Sequence, residues 1–279
     1  MVEQEQIKRY RAEFSSDRSA LVAQNAVTSN SINDIAINRE VVQNTTKEMS
    51  CKLDDGWSAT SQKSSGRCWL FAMLNLFRPG TMKKINVSQF EFSQNHIFFF
   101  DKFERANCFL ESIISMSVEG KSVGDRTVDH ILGDPIGDGG QWNMAVNIVA
   151  KYGLVPKSAF PETQSSSATL RMNGNLKQIL RNAAHNIHEI QKSSKSGNGW
   201  VDDVPDWLEA ARALKEQVMA NVWRMLCIHL GTPPETFDFQ YRDKSNEFHS
   251  RKGLTPVQVS LGGYCSILVY FCGVLFHLG

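Results

Sequence analysis

The most informative stretch of the chain is Gln62-Lys-Ser-Ser-Gly-Arg-Cys-Trp-Leu-Phe-Ala-Met-Leu-Asn-Leu-Phe-Arg78. Small and polar residues lead into an apolar run that predicts a helix from Cys68, which Pro79-Gly80 is expected to stop. A cysteine at the first position of a helix lies beside unpaired backbone N–H groups, at the positive end of the helix dipole. That setting favours thiolate over thiol, and the thiolate is the nucleophile. The segment therefore predicts that Cys68 is an attacking cysteine.

Gln62 stands on the loop that leads into this predicted helix. Its side-chain NH₂ and the backbone N–H of Cys68 could together form an oxyanion hole for a tetrahedral intermediate. The alternative interpretation is a buried structural cysteine, because free cysteines are commonly inert core residues. The upstream glutamine and the Gly-Arg-Cys-Trp turn favour the nucleophile.

Composition and charge narrow the class of protein. The 279 residues are 42% hydrophobic and 21% charged, which excludes a disordered chain and suggests about two domains. Lys and Arg number 30 against 29 Asp and Glu, so no overall basic charge favours nucleic acid or a membrane surface. The charged start does not resemble a secretory signal. The scattered cysteines favour reduced thiols in a cytoplasmic protein.

The segment Gln62…Gly66-Arg67-Cys68-Trp69 resembles the nucleophile region of papain-like cysteine peptidases, and in particular their bleomycin hydrolase branch of cytosolic aminopeptidases. Further stretches agree with that branch in the same order, over about residues 5 to 256. They are Met82-Lys-Lys-Ile-Asn86, Glu91-Phe-Ser-Gln94, Asp138-Gly-Gly-Gln-Trp142, Lys151-Tyr-Gly-Leu-Val-Pro156, Gly231-Thr-Pro-Pro-Glu-Thr-Phe237 and Tyr241-Arg-Asp-Lys244.

The resemblance implies roles for five residues. Cys68 would be the nucleophile and Gln62 the oxyanion donor. Gly139 and Gly140 would line the substrate groove, because backbone approaches a bound peptide closely only where no side chain intervenes. Trp69 would be the third substrate-binding residue of this groove. Without the resemblance, the Asp-Gly-Gly-Gln segment is only a turn before a helix.

The chain departs from the family pattern in its second half. A papain-like mechanism needs a histidine to carry the proton and an asparagine to orient it. The family supplies them from His-Ala and Asn-Ser-Trp-Gly segments, and neither string occurs here. His185 and His188 share a predicted helix face, but two ligands make a poor metal site. We therefore expect no metal and no cofactor, and near-background activity for this chain.

The resemblance implies an α+β papain-like fold, here mainly the helical lobe plus a helical insertion, with most of the β-barrel lobe missing. The predicted organisation is an N-terminal arm (1–60), the helical lobe with the nucleophile helix (61–159), the insertion (160–250) and a divergent apolar tail (251–279). Residues 17–60 show no sustained hydrophobic period. Helices are predicted near 3–14, from Ser93, over 141–152, over 168–191 and from about Pro205 to Leu230, with a strand at 236–241.

The tail has three interpretations, because no charged residue occurs from Gly253 to Gly279. It is an anomalous end from splicing or read-through, a membrane segment over 261–279, or an ordinary buried element. Membrane association is expected only if this tail inserts.

Two classes of function remain open at this point. One is a thiol-dependent aminopeptidase which, by the resemblance, trims peptide N-termini and hydrolyses bleomycin and homocysteine thiolactone in a cytosolic homohexamer. The other is a non-catalytic subunit that joins or regulates full-length hexamers.

Overall fold

A computed structural model describes residues 4–45, 57–194, 200–201, 204–205 and 207–261, with only the backbone described at 200–201, 204–205 and 261. The chain divides between residues 55 and 56 into two compact units. The four predicted segments and the three boundaries between them are not tested by this division and stay predictions. The tail beyond 261 lies outside the described residues, and so do its three interpretations.

The part of the first unit that the structure describes, residues 4–45, contains four helices: α1 (Gln4–Ser16), α2 (Arg18–Ser29), α3 (Ile32–Ile35) and α4 (Arg39–Asn44). The helix predicted near 3–14 is confirmed. Residues 17–60 show no sustained hydrophobic period in the sequence, yet as far as Asn44 they form α2, α3 and α4. Local capping explains the difference: the Asp17 carboxylate accepts the N–H groups of Ser19 and Ala20, which satisfies donors at a helix start without an apolar stripe. None of the four helices has a buried residue.

The second unit holds the remaining elements in chain order. They are α5 (Cys68–Lys84), α6 (Gln94–Val118), α7 (Arg126–Gly133), α8 (Trp142–Tyr152), α9 (Gln164–Ser167), α10 (Leu170–Ser194), β1 (Trp200–Val201), β2 (Val204–Pro205), α11 (Trp207–Leu230), β3 (Phe237–Arg242), β4 (Phe248–Leu254) and α12 (Pro256–Leu261). Within the described residues the strands form two antiparallel hairpins, β1–β2 and β3–β4. The strand predicted at 236–241 is confirmed.

Helix α5 continues through the proline at which the sequence predicts a stop. Pro79 lies inside the helix, which ends at Lys84. A proline removes one intrahelical hydrogen bond and crowds the preceding turn, at a cost of about 3 kcal/mol. Beyond it, however, Thr81 and Met82 are buried, and the Thr81 hydroxyl donates to the Phe77 carbonyl. Packing of the last turn thus offsets the loss, and the predicted end was wrong.

Helix α6 forms the centre of the core. Its predicted N-cap is confirmed, because Ser93 Oγ accepts the N–H of His96 at 3.0 Å. Helices α10 and α11 pack on α6, and α8 packs on both α5 and α6. Helix α11 begins at Trp207 rather than Pro205, because the backbone of Val204–Pro205 pairs with β1 in a hairpin. Among the described helices, none is long and apolar enough to cross a bilayer.

Candidate active site

Cys68 is the first residue of α5, as the sequence predicts, and its side chain is an exposed free thiol. The residue before it, Arg67, is the N-cap, and its carbonyl accepts the N–H groups of Leu70 and Phe71. The sulfur therefore lies at the positive end of a 17-residue helix, open to a reactant.

Arg67 anchors the turn that precedes Cys68. Its side chain is fully buried, and the guanidinium donates to both carboxylate oxygens of Glu162, at 3.0 and 2.7 Å. It also donates to Ser65 Oγ at 2.9 Å and lies over the rings of Phe71 and Phe98. A bidentate, charge-assisted pair of this kind fixes geometry as well as adding energy. This role of Arg67 was not predicted from the motif, because its partner Glu162 lies 95 residues away in the chain.

A second contact joins the same turn to the start of the predicted insertion. The backbone N–H of Ser64 donates to the Ser167 carbonyl at 2.9 Å, and Thr169 N–H donates back to the Ser64 carbonyl at 3.4 Å. Residues 162–169 thus hold the loop before Cys68 through both side chains and backbone.

Asp138 holds the turn from the other side. Its carboxylate accepts hydrogen bonds from Gly66 N–H at 3.2 Å, Thr169 Oγ1 at 2.5 Å and Asn173 Nδ2 at 2.7 Å. Lys102 Nζ, on α6, lies 2.7 Å from Asp138 Oδ1, the same oxygen that Asn173 contacts. Burial favours the neutral acid, but the Lys102 charge and these hydrogen bonds outweigh it and hold the pKa of Asp138 well below its usual range.

Trp69 and the Gly139-Gly140 loop are in direct contact. Trp69 Nε1 donates to the Asp138 carbonyl at 2.8 Å. A Cβ added at Gly140 would lie 2.6 Å from the Trp69 ring, so only glycine fits there without displacing the indole. Gly139 is exposed, and a Cβ there would meet nothing within 4 Å. The structure therefore brings three of the predicted groove residues together beside Cys68.

Gln62 lies on the incoming loop, where its backbone carbonyl accepts a hydrogen bond from Ser65 Oγ at 2.6 Å. Its side-chain oxygen is buried and has no hydrogen-bond partner among the described residues. The predicted role as an oxyanion donor concerns the amide NH₂ and stays a prediction.

Within the described part of the chain, no histidine hydrogen bonds to Cys68. His96 is buried, with Nε2 3.3 Å from the Tyr152 carbonyl. His229 Nδ1 pairs with Ser165 Oγ at 2.8 Å, and His249 stacks on Tyr241. His185 and His188 face the same cavity between α6, α7 and α10.

The tip of the β3–β4 hairpin gathers Asp243, Glu247 and His249, whose potential ligand atoms lie within 4.8 Å of one another. These three residues were not predicted from the sequence as a site. Asp243 accepts the N–H groups of Ser245 and Glu247, each at 2.9 Å. That bonding is typical of a turn-forming aspartate, so the cluster is accounted for by the hairpin itself.

These features are those of a papain-like cysteine peptidase fold: a cysteine is the first residue of a helix, and a Gly-Gly loop lies beside it. The model of the Peptidase C1-like family matches residues 1–267, and this chain belongs to that family.

The chain is also similar to individual bleomycin hydrolases and aminopeptidases. The chain is 38% identical to bleomycin hydrolase from Rattus norvegicus over 246 residues, which cover 88% of this chain and 52% of the relative. It is 39% identical to aminopeptidase C from Streptococcus thermophilus over 216 residues, or 75% of this chain and 46% of the relative. The crystal structure of PepW from Lactobacillus rhamnosis HN001 is similar with a TM-score of 0.80 and 34% identity, over 95% of this chain and 56% of PepW. The chain thus spans about half the length of these relatives.

Proposed function

We propose that this chain carries the nucleophile of a cysteine aminopeptidase. The substrates would be peptide N-termini, with small amides and thiolactones as further candidates from the resemblance to bleomycin hydrolases. The observation that supports this most is the exposed thiol of Cys68 at the first residue of α5, beside the loop of Gly139 and Gly140.

The proposed reaction begins when Cys68 Sγ attacks the substrate carbonyl carbon. A C–S bond forms and the carbonyl electron pair moves to oxygen, which would be held by the Cys68 N–H and the Gln62 amide. Collapse of this intermediate breaks the C–N bond, and the amine leaves with the proton that the thiol lost. Water then hydrolyses the thioester, which releases the acid and restores the thiol.

A general base must take the proton from the thiol, and the same group must return it to the amine as a general acid. No histidine pairs with Cys68 among the described residues, so we propose that the 279-residue chain turns over at background rate. Loss of one member of a catalytic unit costs on the order of a thousandfold or more in rate. The measurement is hydrolysis of an aminoacyl-coumarin by purified protein. Turnover that disappears in Cys68→Ala would contradict the inactivity, although it would support the nucleophile.

The nucleophile itself has a test that needs no turnover. Cys108, in the interior of α6, is also an exposed free thiol and serves as an internal control. We expect iodoacetamide at pH 6 to alkylate Cys68 roughly tenfold faster than Cys108, as followed by peptide mass spectrometry, because Cys68 lies at the positive end of α5, beside unpaired backbone N–H groups. Equal rates at the two positions in the folded protein would refute the assignment.

A second candidate function is a non-catalytic subunit that joins full-length homologues. The thiol of Cys68, to which no histidine hydrogen bonds within the described residues, favours it. In co-expression with full-length aminopeptidase C from Streptococcus thermophilus, the chain would co-purify and lower the specific activity of the complex. A monomer that leaves the partner's activity unchanged would remove this candidate.

The remaining proposals rest on the resemblance. We infer a cytoplasmic protein that forms a homo-oligomer, a hexamer by analogy with the family. The near balance of Lys and Arg against Asp and Glu offers no support for nucleic acid as a partner.

A further inference from the structure

We propose that Asp138 is a positioning residue. It joins the turn before Cys68 to the loop that contains Gly139 and Gly140, here called the groove loop, and Lys102 holds the Asp138 carboxylate in place. This inference rests on the proposed role of Cys68 as the nucleophile. It adds a function for a residue that does not itself contact the reacting atoms.

Asp138 contacts both sides of Cys68. On the N-terminal side, its carboxylate accepts the N–H of Gly66 at 3.2 Å. On the C-terminal side, its backbone carbonyl accepts Nε1 of Trp69 at 2.8 Å. One residue of the groove loop therefore holds positions 66 and 69, which bracket the thiol.

The contact at Gly66 is close as well as polar. A Cβ added at Gly66 would lie 2.8 Å from the Cβ of Asp138, nearer than real side chains approach each other. The backbone of the turn at Gly66 thus contacts the Asp138 side chain of the groove loop so closely that no residue larger than glycine fits at position 66. Since Asp138 directly precedes Gly139, a shift of either segment moves the thiol relative to the groove.

Lys102 makes this arrangement rigid. Its side chain is fully buried, and its ammonium donates to Asp138 Oδ1 and to the Gly137 carbonyl. Neighbouring charges on α6 are Asp101, whose nearest oxygen is 3.9 Å from Lys102 Nζ, and Arg105, which donates to Asp101 and to the Gly139 carbonyl. Without Asp138, the Lys102 ammonium would keep the Gly137 carbonyl, but its nearest carboxylate would be the more distant Asp101. The pair of Lys102 and Asp138 therefore resists separation.

Thr169 and Asn173 complete the set and prevent the carboxylate from rotating. Thr169 directly precedes α10 and Asn173 lies in its first turn. The turn before Cys68, helix α6 and the start of α10 therefore all contact Asp138. Preorganisation of this kind matters because small misplacements of a reacting group cost large factors in rate.

The experiment measures local hydrogen–deuterium exchange together with labelling of Cys68. The variants are Asp138→Asn and the double variant Asp138→Asn with Lys102→Met, which removes both buried charges and keeps the protein foldable if the single change does not. The control is Glu111→Gln, which breaks the pair with Lys215 farther along the same helix α6.

Wild-type peptides over 61–69 and 134–141 should be protected, and both variants should speed their exchange by roughly tenfold relative to peptides from α11, as expected for local opening. The control should alter these two segments by less than about twofold. A purely structural role would change protection throughout the unit instead. Unprotected wild-type segments, or protection retained in the double variant, would overturn the proposal.

Labelling separates this proposal from the proposed function. An epoxysuccinyl peptide needs both the groove and the thiol, whereas iodoacetamide needs only the thiol. In the double variant the rate of epoxide labelling at Cys68 should fall about tenfold more than the iodoacetamide rate, because the groove and the thiol are no longer aligned. If wild-type Cys68 reacts no faster than Cys108, the proposed function fails, while the exchange result still decides the role of Asp138.

Discussion

Two fully buried cations hold the turn before Cys68: Arg67 belongs to the turn itself, and Lys102 acts through Asp138, which accepts the N–H of Gly66. Charged side chains are almost never fully buried unless they are paired, and each of these pairs with a carboxylate, Glu162 or Asp138. Such pairs contribute little net stability compared with apolar packing, but breaking one leaves an uncompensated buried charge. We therefore infer that these two ion pairs fix the geometry of the turn before the exposed Cys68 thiol rather than add stability.

His96 predicts a pH dependence of stability. Burial lowers the pKa of this imidazole to about 4, against the opposing hydrogen bond to the Tyr152 carbonyl. The unfolded chain binds a proton near pH 6.5 and the folded chain does not, so stability is retained above that pH and falls as pH drops towards 4. Between pH 7 and pH 5 this histidine alone should reduce the free energy of unfolding by about 2 kcal/mol.

The measurement is urea unfolding of the wild type and of His96→Asn at both pH values, since the asparagine amide can still donate a hydrogen bond. The difference between the two proteins isolates His96 from the carboxylates that also titrate on acidification. An identical pH dependence in the two proteins would contradict the prediction.

At the level of elements, the site is made where the start of α5 meets the loop that leads into α8. The helix supplies the thiol and Trp69, and the loop supplies Gly139 and Gly140. Contact between the indole and Gly140 sets how closely the two elements approach.

A matched pair of substitutions tests this contact. In Gly140→Ala the new methyl group would lie 2.6 Å from the Trp69 ring, whereas in Gly139→Ala it would meet nothing within 4 Å. Overpacking costs about 1–3 kcal/mol, so Gly140→Ala should lower the free energy of unfolding by that amount and Gly139→Ala should leave it nearly unchanged. Urea denaturation checks both. Equal stabilities would show that the loop does not rest on the indole.

At the level of the whole molecule, the two units differ in how much they bury. The second unit contains a continuous apolar core built around α6, whereas α1 to α4 bury no side chain, and apolar residues such as Val22 and Ile32 are 64% and 62% exposed. Little tertiary packing opposes local unfolding of the first unit.

Limited trypsin digestion should therefore cut the first unit first. Arg9, Arg11 and Arg18 are exposed in helices without buried residues, while Arg171 is equally exposed on α10, where Met172 and Leu176 are buried. Cleavage of transiently opened segments follows their opening free energy, so the first three sites should be cut at least about tenfold faster than Arg171. Resistance of the first unit comparable to that of Arg171 would contradict this prediction and indicate that another surface covers it.

Sequence patterns were reliable where a helix or strand has its own local signals. The cap at Ser93 and the alternation in residues 236–241 both predicted elements that the structure contains, the second as the strand Phe237–Arg242. The patterns failed at Pro79, because burial of the following turn cannot be seen locally, and at α2, where the Asp17 cap begins a helix without an apolar stripe.

The sequence by itself determined the family, the α+β class and the place of Cys68 at a helix start, since each depends on motifs or on residues a few positions apart. Only the tertiary structure decided what holds that cysteine. Gly66 and Asp138 are separated by 72 residues, and Arg67 and Glu162 by 95. Such partners lie on loops between helices that pack in one core, and no periodicity along the chain encodes which distant carboxylate a buried cation will contact.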